Sequence, residues 1–342
     1  MKPNVLLLDH LYHVCGEALL SEHAEVTILE EPARAAVLEA ATGANAICPR
    51  YPNKVDAQVI EAARDLVVIA TSGRGTDAVD LEVATRAGVA VVNNPGLGRV
   101  PVSEHALFLL LALTRHGPAH DRMTRAGRGW LERLGPGNTI RDLQGGTLGI
   151  VGLGQIGSEM ARKCIAAFAM EVIAYDPYVD AATAAALGVT MLPRLEEVLE
   201  RADYVSVHAE LNDETRHMFD EATLRRMRPE AVLINTARGK IVAQPALLRA
   251  LTEGWIRAAA LDVFEEEPVG PDSPLRALDN IILSPHVAGI TEGFMTEAAR
   301  SVATQILQAL RAERPPHLVN PEAWEEAKDR ATRLFGTGPS AA

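Results

Sequence analysis

The sequence has few cysteines, few aromatic residues and no long apolar segment. Its 342 residues include three cysteines, Cys15, Cys48 and Cys164, and no CxxC pair. This low, odd number argues against a disulfide framework and a zinc site, so we predict no metal centre and a reducing compartment, the cytoplasm. No stretch of 18 uncharged apolar residues occurs, and the N-terminal run 5–8 is too short for a signal peptide, so no membrane partner is expected.

Long basic runs are also missing. The formal net charge is −12, with 45 acidic and 33 basic side chains, which argues against a nucleic-acid partner. A small anionic ligand remains compatible, since a cleft can be locally positive. The chain is 48% hydrophobic and 23% charged, as in ordinary globular proteins, and it is long enough for two domains.

The first 100 residues alternate short apolar runs with helical stretches. The runs are Val5–Asp9, Glu25–Leu29, Asn45–Cys48, Leu66–Ala70 and Val89–Val92. This alternation predicts a parallel sheet with helices on both faces. The pattern is complete before residue 100, so we expect it to form a domain of its own.

A second α/β pattern starts at Thr147. An apolar run is followed by Gly152-x-Gly154-x-x-Gly157, a helical stretch, a second apolar run and Asp176, 19 residues after Gly157. This is the βαβ fingerprint of a dinucleotide site: the glycines allow a tight turn, close approach of the pyrophosphate and close helix packing. Asp176 can bind a ribose diol and would repel a 2′-phosphate, which favours NAD.

The remaining segments fit a chain of two α/β domains. Residues 102–115 predict a buried apolar helix, residues 126–146 a long connection, and strands are expected at 147–151, 171–175, 189–192, 203–207, 231–234, 257–261 and 281–284. A helix is expected at 291–312, and a charged helical segment at 321–334. We therefore predict an α/β protein of two doubly wound parallel-sheet domains: residues 1–100 with 290–330, residues 101–289, and a tail at 331–342.

Three side chains at or after predicted strand ends suit hydride transfer to a 2-oxo acid. Arg238 can hold a carboxylate bidentately, His286 can transfer a proton near neutral pH, and Glu267 can fix the tautomer of the histidine ring. Each also has a simpler interpretation: a surface arginine, a capping histidine and a solvated acidic turn, Glu265-Glu266-Glu267.

Taken together, the motifs resemble those of the D-isomer-specific 2-hydroxyacid dehydrogenase family over about residues 3–320. Besides the glycine fingerprint, the matching segments are Asn235-Thr236-Ala237-Arg238-Gly239, Asp262-Val263-Phe264-x-x-Glu267-Pro268 and Ser284-Pro285-His286-x-Ala288-Gly289. The resemblance implies a flavodoxin-like substrate domain, a Rossmann NAD-binding domain, and an NAD-dependent oxidoreductase that interconverts 2-hydroxy and 2-oxo acids, usually as a homodimer joined through the cofactor domain.

The resemblance also assigns residue roles. The family's catalytic arginine, glutamate and histidine fall on Arg238, Glu267 and His286, and its nicotinamide-amide carboxylate falls on Asp262. The other expected cofactor contacts are Gly152, Gly154, Gln155, Ile156, Gly157, Asp176, His208, Thr236, Ala237, Ala288 and Gly289.

In the first domain, the resemblance places the substrate carboxylate at the turn Ser72, Gly73, Arg74 and Gly75, whose backbone could form an anion-binding concavity. Arg50 falls where phosphoglycerate dehydrogenases place a cation near the distal phosphate. A second basic residue often follows two positions later, where this chain has Pro52, so the sequence leaves open whether the substrate is phosphorylated.

Two other functions remain open at this point. A phosphite dehydrogenase has a similar catalytic set, and a dinucleotide-sensing corepressor can retain all three catalytic residues without turnover. The sequence also leaves open which 2-hydroxy acid is the substrate.

Overall fold

The computed structural model describes residues 2–50, 53–135 and 140–336. The strands are β1 Asn4–Leu7, β2 Glu25–Ile28, β3 Ala46–Cys48, β4 Val68–Ala70, β5 Ala90–Val92, β6 Thr147–Val151, β7 Glu171–Tyr175, β8 Thr190–Met191, β9 Tyr204–Val207, β10 Val232–Asn235, β11 Ala258–Leu261 and β12 Ile281–Leu283. The α-helices are α1 Val14–His23, α2 Arg34–Ala41, α3 Ala57–Ala62, α4 Leu81–Arg86, α5 Arg99–Thr114, α6 Gly117–Arg125, α7 Gly129–Glu132, α8 Gln155–Phe168, α9 Ala181–Ala186, α10 Leu195–Arg201, α11 Glu221–Leu224, α12 Gln244–Thr252, α13 Glu292–Leu310 and α14 Trp324–Phe335.

The described residues of Met1–Gly98 and Ile290–Ala342 form one compact unit, the first unit. Its five strands are all parallel and lie in the order β2-β1-β3-β4-β5. Strands β3, β4 and β5 are buried along their whole length, which explains their continuous apolar runs, since helices cover both faces of a parallel sheet. The strand order is that of a flavodoxin-like domain, which confirms the predicted fold class.

Residues of Arg99–Gly289 form the second unit. Its seven-stranded parallel sheet has the order β12-β11-β10-β9-β6-β7-β8. Each of the seven strands predicted from residue 147 onward is present, within two residues of its expected bounds. The strand order reverses between β6 and β9, and ligands of such sheets bind beyond the carboxyl ends of the strands at this switch point.

The segment after α5 differs from the expectation. The helix predicted at 102–115 is followed almost directly by a second helix, α6, which begins at Gly117-Pro118, and α7 lies within the predicted long connection at 126–146. His116 adopts a left-handed conformation (φ 50°) between the two helices, and Pro118 occupies the first turn of α6. A proline is tolerated there because the first turn of a helix has unpaired N–H groups anyway.

The C-terminal boundary also differs. Residues 331–335, which were assigned to a tail, are the last turn of α14, and Ala331 is fully buried. The Arg330 guanidinium donates hydrogen bonds to the carbonyl oxygens of Leu66, Ala87 and Gly88, so this helix is tied to the first unit. Residues 337–342 lie outside the described part of the chain.

Helix α5 is buried on one side only. Leu109, Leu110 and Ala106 are fully buried, whereas the Phe108 side of the helix is open, with Phe108 57% exposed. The prediction of burial all round is therefore not met within a single chain. Among the described residues, no helix is both long and apolar enough to span a membrane.

Candidate functional site

The glycine turn after β6 is shaped by close backbone contacts. Gly152 has φ 93°, and a Cβ there would lie 2.5 Å from the backbone N of Ala209. A Cβ on Gly157 would lie 2.2 Å from the carbonyl oxygen of Gly152. A Cβ on Gly154 would meet no atom within 4 Å. Gly152 and Gly157 are therefore needed for packing, while Gly154 leaves an open backbone surface that a pyrophosphate could approach.

Helix α8 begins directly after this turn. Its N-cap is Gly154, which supplies no side-chain cap, and Gln155 is exposed while Ile156 is half-buried. The N–H groups of a first helical turn carry a partial positive charge, so this helix end suits a phosphate.

Asp176 follows β7 and is held rigidly beside the turn. Its Oδ2 accepts a hydrogen bond from the backbone N–H of Leu153 (2.8 Å), and its Oδ1 accepts one from Tyr178 (2.9 Å). Each carboxylate oxygen has a second lone pair. The fixed carboxylate can therefore accept hydrogen bonds from a ribose diol, and its charge opposes a 2′-phosphate.

Two further predicted cofactor contacts lie beyond the carboxyl ends of β9 and β10. The hydroxyl oxygen of Thr236 is buried and has no hydrogen-bond partner among the described residues, although buried hydroxyls are normally paired. His208 lies with Nε2 2.9 Å from the Ser206 hydroxyl, and desolvation lowers its pKa to about 4. The His208 ring is therefore neutral at pH 7, and the unpaired hydroxyl of Thr236 fits a site completed by a ligand.

His286 and Glu267 form a histidine–carboxylate pair. The Nδ1 atom of His286 lies 2.7 Å from Oε2 of Glu267, whose Oε1 accepts a hydrogen bond from the backbone N–H of Phe264 (2.8 Å). The Glu267 side chain is 12% exposed and the His286 side chain 45% exposed. A largely buried carboxylate thus orients a ring that solvent and small molecules can reach, which is the arrangement used for proton transfer.

The simpler interpretation of the acidic turn fits Glu266, which is exposed. Glu265 is engaged: its Oε1 accepts a hydrogen bond from the backbone N–H of Gln244 (2.9 Å) and lies 3.0 Å from Nε2 of His217. Glu265 and Glu267 therefore anchor this loop rather than face water.

Arg238 lies in a loop that the side chain of Asn235 stabilises by hydrogen bonds. The buried Asn235 side chain accepts a hydrogen bond from the N–H of Ala237 (3.0 Å) and donates one to the carbonyl oxygen of Arg238 (3.0 Å). A Cβ on Gly239 would lie 1.9 Å from the carbonyl carbon and oxygen of Phe264. The loop that carries Arg238 is therefore in direct contact with the loop that carries Glu267.

Asp262 is fully buried and holds the segment that carries His286. Its Oδ1 accepts hydrogen bonds from the Ser284 hydroxyl (2.6 Å) and the Val287 N–H (3.0 Å), and its Oδ2 accepts one from the Ala288 N–H (2.8 Å). The His105 ring contacts this network, with Nε2 3.0 Å from the Ser284 hydroxyl. His105 belongs to none of the sequence motifs; the signal for it is a lone histidine in an apolar helix.

The predicted carboxylate turn in the first unit follows β4. Two asparagines after β5 bind its carbonyl oxygens: Asn94 donates to Thr71 (2.8 Å) and Gly73 (2.9 Å), and Asn93 donates to Arg74 (2.7 Å). Within the described residues, the N–H groups of Gly73 and Gly75 donate no hydrogen bond. Ser72 is half-buried beside them. The turn therefore offers backbone donors to an anion, and Asn93 and Asn94 are the supporting residues that the motif analysis missed.

Arg50 follows β3 and is already surrounded by partners. Its Nη1 donates to the carbonyl oxygen of His10 (2.7 Å), its Nε lies 3.6 Å from Oδ2 of Asp9, and its guanidinium lies 4.2 Å from the centre of the Tyr12 ring. Asp9 therefore offsets the charge of Arg50. Pro52 lies outside the described residues.

Comparisons with known proteins identify the family to which the chain belongs. Residues 107–288 match the family model "D-isomer specific 2-hydroxyacid dehydrogenase, NAD binding domain". A glyoxylate reductase of Korarchaeum cryptofilum is 38% identical over 326 residues, which cover 94% of this chain and 97% of that protein. A D-3-phosphoglycerate dehydrogenase of Methanocaldococcus jannaschii is 38% identical over 92% of this chain, which spans 59% of that longer protein. The crystal structure of a holo form of Rhodotorula graminis D-mandelate dehydrogenase has a TM-score of 0.84 and 30% identity, covering 93% of this chain and 97% of that one.

Proposed function

Because the chain belongs to the D-isomer-specific 2-hydroxyacid dehydrogenase family and is a nicotinamide-dependent oxidoreductase, we propose that it reduces a small 2-oxo acid with His286 as the acid–base group. The observation that carries this proposal is the 2.7 Å contact between His286 Nδ1 and Glu267 Oε2, beyond the strand ends of the dinucleotide-binding sheet. The two alternatives, phosphite oxidation and dinucleotide sensing without turnover, are not favoured by the relatives.

Each catalytic side chain has a defined task in this proposal. The nicotinamide cofactor supplies the hydride when it is bound. Arg238 binds the substrate carboxylate and polarises the carbonyl, which its permanently charged guanidinium can do bidentately. His286 donates a proton to the carbonyl oxygen during reduction and accepts it during oxidation. Glu267 keeps the ring in the orientation and tautomer that this transfer needs, and it compensates the charge of the protonated ring.

The cofactor in this proposal is NAD rather than NADP. The support comes from the carboxylate of Asp176, which two backbone N–H groups hold in place beside the glycine turn. The turn at 152–157 and the start of α8 are assigned to the pyrophosphate, and Thr236, Ala237 and His208 to the rest of the nucleotide. Asp262, Ala288 and Gly289 are assigned to the nicotinamide end.

In the first unit we assign the substrate carboxylate to the turn Ser72-Gly73-Arg74-Gly75. Arg50 is assigned to the far end of the substrate, and its contacts favour an unphosphorylated acid such as glyoxylate or hydroxypyruvate. A phosphate carries about −1.5 to −2 charges at neutral pH and would face the carboxylate of Asp9 as well as the guanidinium.

The substrate assignment is tested by comparing kcat/KM for glyoxylate, hydroxypyruvate, 3-phosphohydroxypyruvate and pyruvate with NADH. We expect the unphosphorylated acids to be preferred, and Asp9→Asn to raise kcat/KM for the phosphorylated acid relative to the others. Glu30→Gln is the matched control, because the Glu30 carboxylate contacts His10 and not Arg50. A parental enzyme that prefers 3-phosphohydroxypyruvate would refute the assignment, and phosphite-dependent NADH formation would support a different reaction.

We also propose a homodimer joined through the second unit. Phe108, Trp130, Leu131 and Leu134 are between 57% and 86% exposed, and such a set of large apolar side chains is typical of an interface. A surface groove of about 410 Å³ lies next to Phe108, lined by Leu111, Ala112 and Pro118 among others. The partner is a second copy of this chain.

Light scattering coupled to size-exclusion chromatography should give twice the mass of one chain. Leu131→Asp should lower the measured mass to that of the monomer. Val14→Asp, an equally polar change at an exposed site of the first unit, should leave the dimer mass unchanged.

The free thiols agree with the cytoplasm as the proposed site of action. Cys48 and Cys164 are buried and unpaired, and burial raises the pKa of each thiol to about 12. Both are therefore protonated and unreactive at neutral pH.

A further inference from the structure

A histidine on α5 contacts the network that holds the catalytic loop. The His105 side chain is 18% exposed, and its Nε2 lies 3.0 Å from the Ser284 hydroxyl and 3.5 Å from Oδ1 of Asp262. His105 is separated from Ser284 by 179 positions in the sequence, so only the fold brings them together. The roles proposed above make no use of it.

The direction of the hydrogen bonds follows from counting protons. The Ser284 hydroxyl has a single proton, and the 2.6 Å bond to Asp262 requires that proton, because a carboxylate can only accept. The Ser284 oxygen must then accept its second bond from His105. Nε2 of His105 is therefore the protonated ring nitrogen, and His105 fixes the hydroxyl in the orientation that serves Asp262.

Asp262 in turn braces the backbone at His286 and directly after it. Its carbonyl oxygen accepts from the N–H of His286 (2.8 Å), and its carboxylate accepts from the N–H groups of Val287 and Ala288. His286 has φ 55°, a left-handed conformation that residues with a side chain rarely adopt without such support. In the described ranges 2–50, 53–135 and 140–336, no lysine or arginine forms an ion pair with Asp262, so hydroxyl, amide and imidazole donors hold the carboxylate.

We propose that His105 is a positioning residue for catalysis, acting through Ser284 and Asp262 on the backbone that presents His286. This inference rests on the proposed function of His286. Removing the Nε2–H donor frees the Ser284 hydroxyl to rotate, and the brace on the left-handed residue then weakens. The chemical step slows, while the glycine turn at 152–157 and Asp176, which are assigned to the rest of the dinucleotide, lie outside this network and keep their shape.

Two substitutions separate the hydrogen bond from simple packing. His105→Gln keeps an N–H donor near the position of Nε2, and His105→Leu removes it. With glyoxylate and NADH, we expect His105→Leu to lower kcat about tenfold, the usual size for one buried hydrogen bond, and His105→Gln to restore most of it. The kinetic isotope effect with deuterated NADH should rise for His105→Leu, because the transfer step becomes more limiting. The dissociation constant for NADH should change much less than kcat, because most of the proposed dinucleotide contacts lie outside this network.

The controls decide between a positioning role and a structural one. Glu104→Gln changes the neighbouring residue, whose carboxylate contacts Lys163 (3.3 Å), and should leave kcat unchanged. His105→Leu combined with Ser284→Ala should be no slower than the slower single variant, because both act through one network. The inference is overturned if His105→Leu lowers the melting temperature but keeps the parental kcat, or if only the KM for NADH changes.

A measurement without turnover keeps this inference separate from the proposed function. In ¹³C,¹⁵N-histidine NMR spectra, His105 should appear as the Nε2–H tautomer or as the doubly protonated ring, and His105→Leu should move the His286 signals. A parent that turns over no 2-oxo acid would refute the proposed function. His286 signals that are unmoved by His105→Leu would refute the positioning role.

Discussion

Gly239 is the position where one added methyl group should separate two parts of the proposed catalytic site. The residue follows Arg238, and its Cα faces the peptide carbonyl of Phe264 at the start of the loop that carries Glu267. Gly239→Ala therefore inserts a Cβ between the two loops without removing any catalytic side chain. We expect a large loss of activity from this substitution.

The size of the effect follows from the contact distances. The new Cβ would lie 1.9 Å from the carbonyl carbon and oxygen of Phe264 and 2.5 Å from the backbone N of Glu265. These are backbone atoms, so the loops must move apart until the contacts approach about 3.4 Å, the ordinary van der Waals range. A displacement above about 1 Å in a catalytic arrangement costs roughly 10²-fold in rate. Overpacking should also lower the free energy of unfolding by about 1–3 kcal/mol.

The assay is kcat/KM for glyoxylate with NADH, together with thermal unfolding. Gly270→Ala is the control, because it lies in the same region of the chain and a Cβ there would meet nothing within 4 Å. The control should match the parent in both measurements. If Gly239→Ala is folded and has parental kcat/KM, the two loops are not coupled as the structure indicates.

Two further predictions concern the cofactor site. Asp176→Asn should reduce the preference for NADH over NADPH by tenfold or more, because it removes a charge repulsion of about 1.4 kcal/mol. The measurement is the ratio of kcat/KM with NADH to kcat/KM with NADPH, and an unchanged ratio would contradict the role of Asp176. The pKa of His208 is lowered from 6.5 to about 4, so between these pH values the unfolded chain binds more protons and stability falls as the pH falls. The full shift corresponds to an upper limit of about 3 kcal/mol in the free energy of unfolding, of which about 2 kcal/mol falls between pH 7.5 and 5. Urea titrations at these two pH values should show a smaller loss of unfolding free energy for His208→Gln than for the parent.

Most of the fold can be predicted from the sequence, because most strands are short, apolar and followed by a turn. The runs 147–151 and 171–175 are predicted residue by residue, since both faces of a parallel strand are buried and the three central residues of each run are apolar and buried. The start of α6 was not predicted, because a glycine–proline pair can end one helix and begin the next, and only the conformation of His116 decides between them.

The candidate site was also predicted only in part from the sequence. Arg238, Glu267 and His286 are found from motifs because they are chemically distinctive and follow strand ends. Asn94, His105 and the contact between Gly239 and Phe264 are not found, since each depends on residues far apart in the chain. The buried state of Asp262 also needs the fold, because a carboxylate in a motif does not reveal how many donors surround it.

The most direct test of the central claim compares His286→Ala with the parent in the reduction of glyoxylate by NADH, with NADH binding followed by its fluorescence. If His286 is the acid–base group, kcat should fall by roughly 10²–10⁴ while the dissociation constant for NADH stays the same. Near-parental turnover by His286→Ala would contradict the account.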